Sequence, residues 1–402
     1  MATSKVTNLS ILDDAVRTAG IQDAAVTAAK TSGVPTLFLP NAQQLLINGN
    51  MKVVQRATSK TGLTNGNSGY WVQDRWKWLE FGAPTFVQTM TQEALTSGDA
   101  FTDGFATALK LDVTTADASL AAGDGLMVEQ QIEGQNLQMI KKGTANAEKL
   151  TVAFWVKSTK TGTLIAEFFD HDNSRTCSQA YTIDTTDTWE FKVLNFPADT
   201  TGALNNTNTT GLALKFWLGA GTNYTSGTLA TTWQSETAAN RAVGCVNTTD
   251  STSNNVHITG VQIEVGEYTS SDLPPFRHES YGDNLARCQR YAYVISGDNQ
   301  VLGFGFGKGS DNVVGPIIFP TTMRSAPTTT TTTVSTGYKF QGSKSDGTGQ
   351  DQNIDGSSNV LEQAGTRGIT YKMDGLSTVG GGSTGFFRTN SASAHILFSS
   401  EL

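Results

Sequence analysis

Charge is what this 402-residue chain has least of: Asp, Glu, Lys and Arg make up only 16% of it. The balance is acidic, net -8 with a pI near 5.1. No basic face is left to follow a phosphate backbone, so nucleic acid is not an expected partner. Cysteine is nearly absent. Cys177, Cys245 and Cys288 lie far apart, odd in number, without metal-ligand spacing. They read as buried free thiols of a protein made in a reducing cytoplasm. No positively charged leader and no run of 18 apolar residues is found, so neither a signal peptide nor membrane insertion is expected. Histidine is scarce as well: His171, His257, His278 and His395 are the full set. No G-x-S-x-G, H-E-x-x-H, C-x-x-C or P-loop accompanies them, so each reads as a strand or loop residue. No catalytic residue, metal or cofactor is expected. Carboxylate pairs for glycoside hydrolysis stay open, because their spacing belongs to the fold. No fixed period runs through the chain, which excludes a repeat architecture.

What is abundant is glycine, 41 residues, together with Thr, Ser and Asn. Low charge, many turn formers and few helical periods predict an all-β protein. Period-2 runs place strands at Ala108–Val113, Leu126–Ile132, Leu150–Lys157, Leu164–Phe169, Trp189–Phe196, Leu212–Leu218 and Val256–Val265. Further strands are read at Tyr291–Ile295, Val301–Phe306, Val314–Phe319, Thr328–Val334, Ile369–Met373 and Ala394–Phe398. The polar stretch Thr222–Asn255 reads as an elaborated surface loop, and Gly342–Ser358 as a second loop.

The stretch from Asn254 to Arg290 organises the rest. A strand changes phase at Gly260, the mark of a bulge. Pro274-Pro275 then ends it, and Ser280 to Tyr291 reads as a short helix with Asp283 early and Arg287 and Arg290 late. The phrases VQIEVGEYTS and PFRHESYGDNLARCQRY resemble the closing strand and linker of a jelly-roll (galactose-binding-like) module of bacteriophage tail fibres and other virion appendages. The opening phrase LLINGNMKVVQR, read as a first strand, and the DRW of Tyr70–Trp78, read as the next, resemble the same family. IIFPTTMRSAPT and the closing FSSEL resemble its small C-terminal domain. Two departures are visible: Tyr291-Ala292-Tyr293 replaces a doubled tyrosine, and Val53 replaces an aromatic before Gln55-Arg56.

The resemblance implies a jelly-roll β-sandwich over 46–278, a linker helix over 279–290 and a smaller C-terminal β-sandwich-like domain over 291–402. It implies a structural virion protein, assembled in the host cytoplasm, that presents β-domains to the host surface as a tail fibre. A head or collar decoration fibre and a surface-polysaccharide hydrolase are the alternatives. Residues 1–45 lie outside the resemblance. Ser10 with Asp13 and Asp14 opens an alanine-rich, short helical attachment segment whose stripe is too small for a core of its own. It packs on copies of itself or on another virion protein, or it is a tail; with the threefold habit of fibres, a homotrimer is expected.

Strand phase also yields candidate ligand residues. Leu150, Val152, Phe154 and Val156 share one face, which turns Trp155 and Lys157 to the other. Leu212, Leu214, Phe216 and Leu218 likewise turn Trp217 and Lys215 outward. Such tryptophans either stack on sugar rings of a host glycan, with the lysines donating, or lie under a covering loop. Trp71, Trp76 and Trp78 are further carbohydrate-binding candidates. Asp170-His171-Asp172-Asn173, with Asp184 and Asp187, offers oxygen ligands of the calcium type, or an ordinary Asx turn.

Overall fold

A computed structural model describes residues 44–309, 311–331, 336–344, 346–354, 359–376, 379 and 382–402. The attachment segment expected over 1–45 therefore falls almost wholly outside the described residues, as does the end of Thr328–Val334. The described chain forms thirteen strands up to residue 265: β1 (Ser59–Leu63), β2 (Gly69–Tyr70), β3 (Lys77–Phe81), β4 (Val87–Ala94), β5 (Thr107–Thr115), β6 (Gly125–Glu133), β7 (Leu150–Ser158), β8 (Gly162–Asp170), β9 (Arg175–Ile183), β10 (Glu190–Phe196), β11 (Thr210–Ala220), β12 (Gln234–Ser235) and β13 (Asn255–Val265). They pair antiparallel into two sheets, β1-β4-β5-β13-β7-β10 and β12-β9-β8-β11-β6-β3-β2. Leu150, Val152, Phe154 and Val156 of the first sheet meet Leu212, Leu214, Phe216 and Leu218 of the second in one buried core. This is the all-β jelly-roll sandwich that the alternation predicted.

The remaining strands are β14 (Ala292–Ser296), β15 (Val301–Gly307), β16 (Val313–Ile318), β17 (Thr328–Thr331), β18 (Tyr338–Ser343), β19 (Gly349–Ile354), β20 (Asn359–Ala364), β21 (Gly368–Met373), β22 (Thr384–Thr389) and β23 (His395–Ser399). They build a three-stranded sheet, β14-β23-β17, against a seven-stranded one, β19-β18-β22-β15-β16-β21-β20. Ile396 and Phe398 of the small sheet pack with Phe340, Tyr371 and Phe387 of the large one in a second core. The loop expected over Gly342–Ser358 is instead partly strand. β18 and β19 form a hairpin that turns at Gly347, where φ is +82°. An edge strand has one free side and needs no apolar run, so Gly349–Ile354 carries no hydrophobic signal.

The phrases that carried the family resemblance turn out to build one joint. LLINGNMKVVQR is not a strand. Asn48 there adopts φ +59° and donates to the carbonyls of Val53 (2.9 Å) and Asp74 (3.0 Å). DRW is not a strand either, because Arg75 turns the chain at φ +72°. Its buried guanidinium lies 3.5 Å from the centroid of the Tyr291 ring, donates to the Gln131 carbonyl at 2.6 Å, and pairs with Glu401. Arg56 bridges Glu401 (3.0 Å) and Asp74 (3.4 Å). Burial pushes the Asp74 carboxyl up to about 6. The helix Tyr281–Gln289 starts as expected, with Ser280 Oγ accepting the Asp283 N–H at 3.2 Å. At its end Arg290 donates to both oxygens of Glu133, 2.7 and 2.8 Å, while the Tyr291 hydroxyl donates to the same carboxylate at 2.5 Å. The carboxylates of these ion pairs are buried, so removing a cationic partner leaves a buried charge. Residues 44–402 accordingly make one compact unit with two cores.

Candidate ligand cleft on the first sheet

The outward face of the first sheet reads in register: Phe191 opposes Trp155, which opposes Thr259. The bulge predicted at Gly260 is present, with the pairing of β13 to β7 shifting between Thr259 and Gln262. Gly260 has φ +63°, and a Cβ there would stand 2.7 Å from the Phe105 ring. Glycine thus lets Phe105 lie across the strand. Phe105, Phe276 and His278 form a triangle of rings with centroids 4.9, 5.2 and 5.0 Å apart. Leu273, Pro274 and Pro275 close the other wall; the strand expected to run up to the two prolines already ends at Val265.

The result is a cleft of about 270 Å³ whose walls also include Asp103, Phe191, Gln262 and Ser270. Trp155, half-buried, backs two of these wall residues, its ring 5.2 Å from that of the exposed Phe191 and its Nε1–H on Asp103 at 2.9 Å. Gln262 is 98% buried and donates to the Pro274 carbonyl at 3.0 Å, while its Oε1 accepts from no donor among the described residues. Aromatic rings and a carboxylate thus line one cavity, with the buried Gln262 in its wall, the common anatomy of a small-molecule site. Sequence reasoning found Trp155 but not Phe105, Phe191, Gln262 or His278. Gly260 was the available signal, since a bulge re-aims its neighbours.

Lys157 does not reach the cleft. It pairs with Asp187 at 3.1 Å and lies 5.8 Å over Trp189. His257 beside it is held neutral. Burial, then the nearby Lys157 and Lys110, pull its pKa down to about 3.

The other sequence candidates belong to packing. Trp217 is fully buried. It donates to Glu167 at 2.8 Å and is roofed by Tyr224, Leu229, Ala242 and Cys245 of the segment expected to be an open loop. Lys215 is buried too, 3.3 Å from Glu129 and 4.6 Å above Phe169. Cross-strand register explains why: Lys77, Glu129, Lys215 and Glu167 stand side by side on four strands with alternating charge. Trp76 and Trp78 are fully buried in the sandwich core, donating to the Asn48 carbonyl (3.0 Å) and Gln88 (2.9 Å). Trp71 is half-buried, with its N–H on the Asn67 carbonyl at 2.8 Å and Lys60 over the ring at 4.7 Å. Trp155 is the tryptophan candidate that touches residues lining the cleft, Phe191 and Asp103.

Asp170 makes the Asx turn, accepting the N–H groups of Asp172 (2.9 Å) and Asn173 (3.0 Å). Its second oxygen is taken by the buried ammonium of Lys142, which also meets Asp199 at 2.9 Å and the Gly202 carbonyl at 2.9 Å. A tethered cation already fills this oxygen cluster. Burial pushes the thiols of Cys177 and Cys245 up to about 12 and that of Cys288 well above its ordinary value, so none is an activated nucleophile.

No family model matches the chain, and no curated protein matches it in sequence. Solved structures resemble parts of it. The enzymatically active domain of tailspike protein 4 from bacteriophage CBA120 aligns over 48% of this chain and 19% of its own, with 16% identity and a TM-score of 0.27. The chain therefore spans about a fifth of that tailspike's length. A family 11 carbohydrate-binding module from Clostridium thermocellum, solved with a β-1,3-1,4-mixed-linked tetrasaccharide, aligns over 52% of this chain and 96% of its own, with 8% identity and a TM-score of 0.24. Likenesses this distant carry no argument about function.

Proposed function

We propose that this chain is a structural virion protein, a bacteriophage tail fibre or similar appendage, that binds a host-surface glycan in the cleft beside Trp155. The observation that carries the reading is the cleft walled by Phe105, Phe191 and Phe276 with the Asp103 carboxylate among them, Phe191 being backed by the Trp155 ring. A sugar ring has an apolar face to stack on the Phe191 ring and hydroxyls to donate to Asp103. The sequence phrases quoted above support the virion setting, and residues 1–45 are assigned the docking role. Binding occurs without bond cleavage. Asp103 is the one carboxylate among the described residues lining the cleft, whereas glycoside hydrolysis ordinarily uses two.

The test pairs adsorption with chemistry. Phe191→Ala and Trp155→Ala proteins should lose roughly ten-fold in affinity for purified host polysaccharide, about 1.4 kcal/mol, while remaining folded. Incubation of the wild-type protein with the same polysaccharide should release no reducing ends. Full-strength binding by both folded variants would remove the cleft from the reading, and release of reducing ends would replace adhesion by hydrolysis.

A further inference from the structure

The large sheet of the C-terminal domain carries a second surface, unrelated to the cleft. Its inward residues Phe340, Tyr371 and Phe387 are buried. Its outward face should by the same alternation be polar. Instead, on its three central strands, β22, β15 and β16, the outward positions include Phe386, Phe304, Phe306, Pro316 and Ile318, with Thr384 and Arg388 toward the two ends of β22. Phe304 is 65% exposed, Phe306 54%, Phe386 41% and Ile318 70%. Val301, 60% exposed, extends the patch. Phe304 and Phe386 stand directly opposite across the ladder, with ring centroids 4.4 Å apart.

The flanking strands turn polar. β18 presents Lys339, Gln341 and Ser343, and β21 presents Thr370 and Lys372. An apolar centre within a polar rim is the anatomy of a protein interface. At about 200 Å² for a whole aromatic residue, the five exposed side chains hold roughly 500 Å². That matches the largest patch an ordinary monomer tolerates, and with its rim it approaches the ~800 Å² per partner of a stable pair. The rim lysines are already neutralised, Lys339 by Asp351 at 3.0 Å and Lys372 by Asp374 at 2.9 Å. An apolar centre within a polar rim is complementary to a second copy of itself across a two-fold axis.

We infer that a second copy of this chain covers this face, so that the C-terminal sheets pack against each other in a closed oligomer. The interface lies on the face of the sheet and not at its edges, because β22, β15 and β16 are central strands with both neighbours already paired.

Light scattering on the full-length chain from 1 to 50 micromolar (roughly the range over which moderate interfaces assemble) provides the test. The wild-type protein should be an oligomer. The triple variant Phe304→Ser, Phe306→Ser, Phe386→Ser should associate at least ten-fold more weakly while keeping the wild-type near-ultraviolet circular dichroism. Should the triple variant lose its fold, Ile318→Arg, at the most exposed position of the patch, replaces it and should dissociate the oligomer in the same way. A wild-type monomer overturns the inference, and so does a folded variant that stays as oligomeric as the wild type.

Discussion

The two outer faces of the sandwich are finished in opposite ways. On the second sheet, Trp217 sits under a roof made by Tyr224, Leu229 and Ala242, and its N–H is fixed by the buried Glu167. Glu167 in turn accepts from Arg241 at 2.7 and 3.0 Å and from Thr176 at 2.5 Å. On the first sheet, Trp155 holds the equivalent off-phase position, and what comes over it is not a roof but a wall: Pro274, Pro275 and Phe276 stand to one side and leave a cleft. One tryptophan is a structural part, and the other backs the wall of a cavity. The difference lies in the segments that follow. Thr222–Asn255 is long enough to fold back with side chains of its own, whereas the double-proline exit runs past the sheet and supplies one edge.

The sharpest way to break this contrast is Trp217→Ala. Emptying a roofed, fully buried site should cost about 4 kcal/mol and lower the thermal midpoint by roughly 10 °C, read by calorimetry. A change of only a degree or two would mean the roof is not packed. Next in size is Glu167→Gln, which removes the buried carboxylate from Arg241 and leaves it only the more exposed Glu236 at 2.8 Å. We expect a loss of about 2 kcal/mol in urea midpoint experiments, with glycan binding intact.

His257 sharpens the comparison from the first sheet. Its folded pKa of about 3 lies below the ordinary 6.5, so the unfolded chain binds the extra proton. The stability it contributes is therefore complete above pH 6.5 and is lost as pH falls toward 3. His257→Gln should flatten the fall in stability across that window, and an unchanged pH profile would refute the assignment. The smallest effect on stability belongs to Trp155→Ala. A half-buried ring behind a cavity wall should cost about 1 kcal/mol, less than a third of the Trp217 loss, while carrying the larger loss in polysaccharide binding. Equal destabilisation by the two substitutions would erase the distinction between the faces.

The strands show how far sequence reached. Leu150–Lys157, Leu164–Phe169 and Leu212–Leu218 were legible because a buried face repeats every second residue. Short or polar strands such as β2, β12 and β19 were not, since two-residue ladders and edges leave no period to detect. Of the phrases that carried the resemblance, LLINGNMKVVQR and DRW were misread as strands, whereas the closing strand and the helix after it were read correctly. Asn48 and Arg75 adopt positive φ, which serves a buried hydrogen-bond network joining segments more than 200 residues apart.

By itself the sequence determined the all-β class, the inward faces of the long strands, the bulge at Gly260 and the capped helix after Ser280. Each follows from interactions within a few residues: alternation, a missing Cβ, a serine accepting an N–H. Tertiary structure alone decided which off-phase tryptophan meets solvent, that Lys215 is spent on Glu129, and that Phe105, Gln262 and His278 line one cavity. It also decided that Phe304 and Phe386 remain uncovered on a sheet face. Those outcomes depend on which distant segment is laid over a surface, and one residue's neighbours in sequence do not encode the path of another.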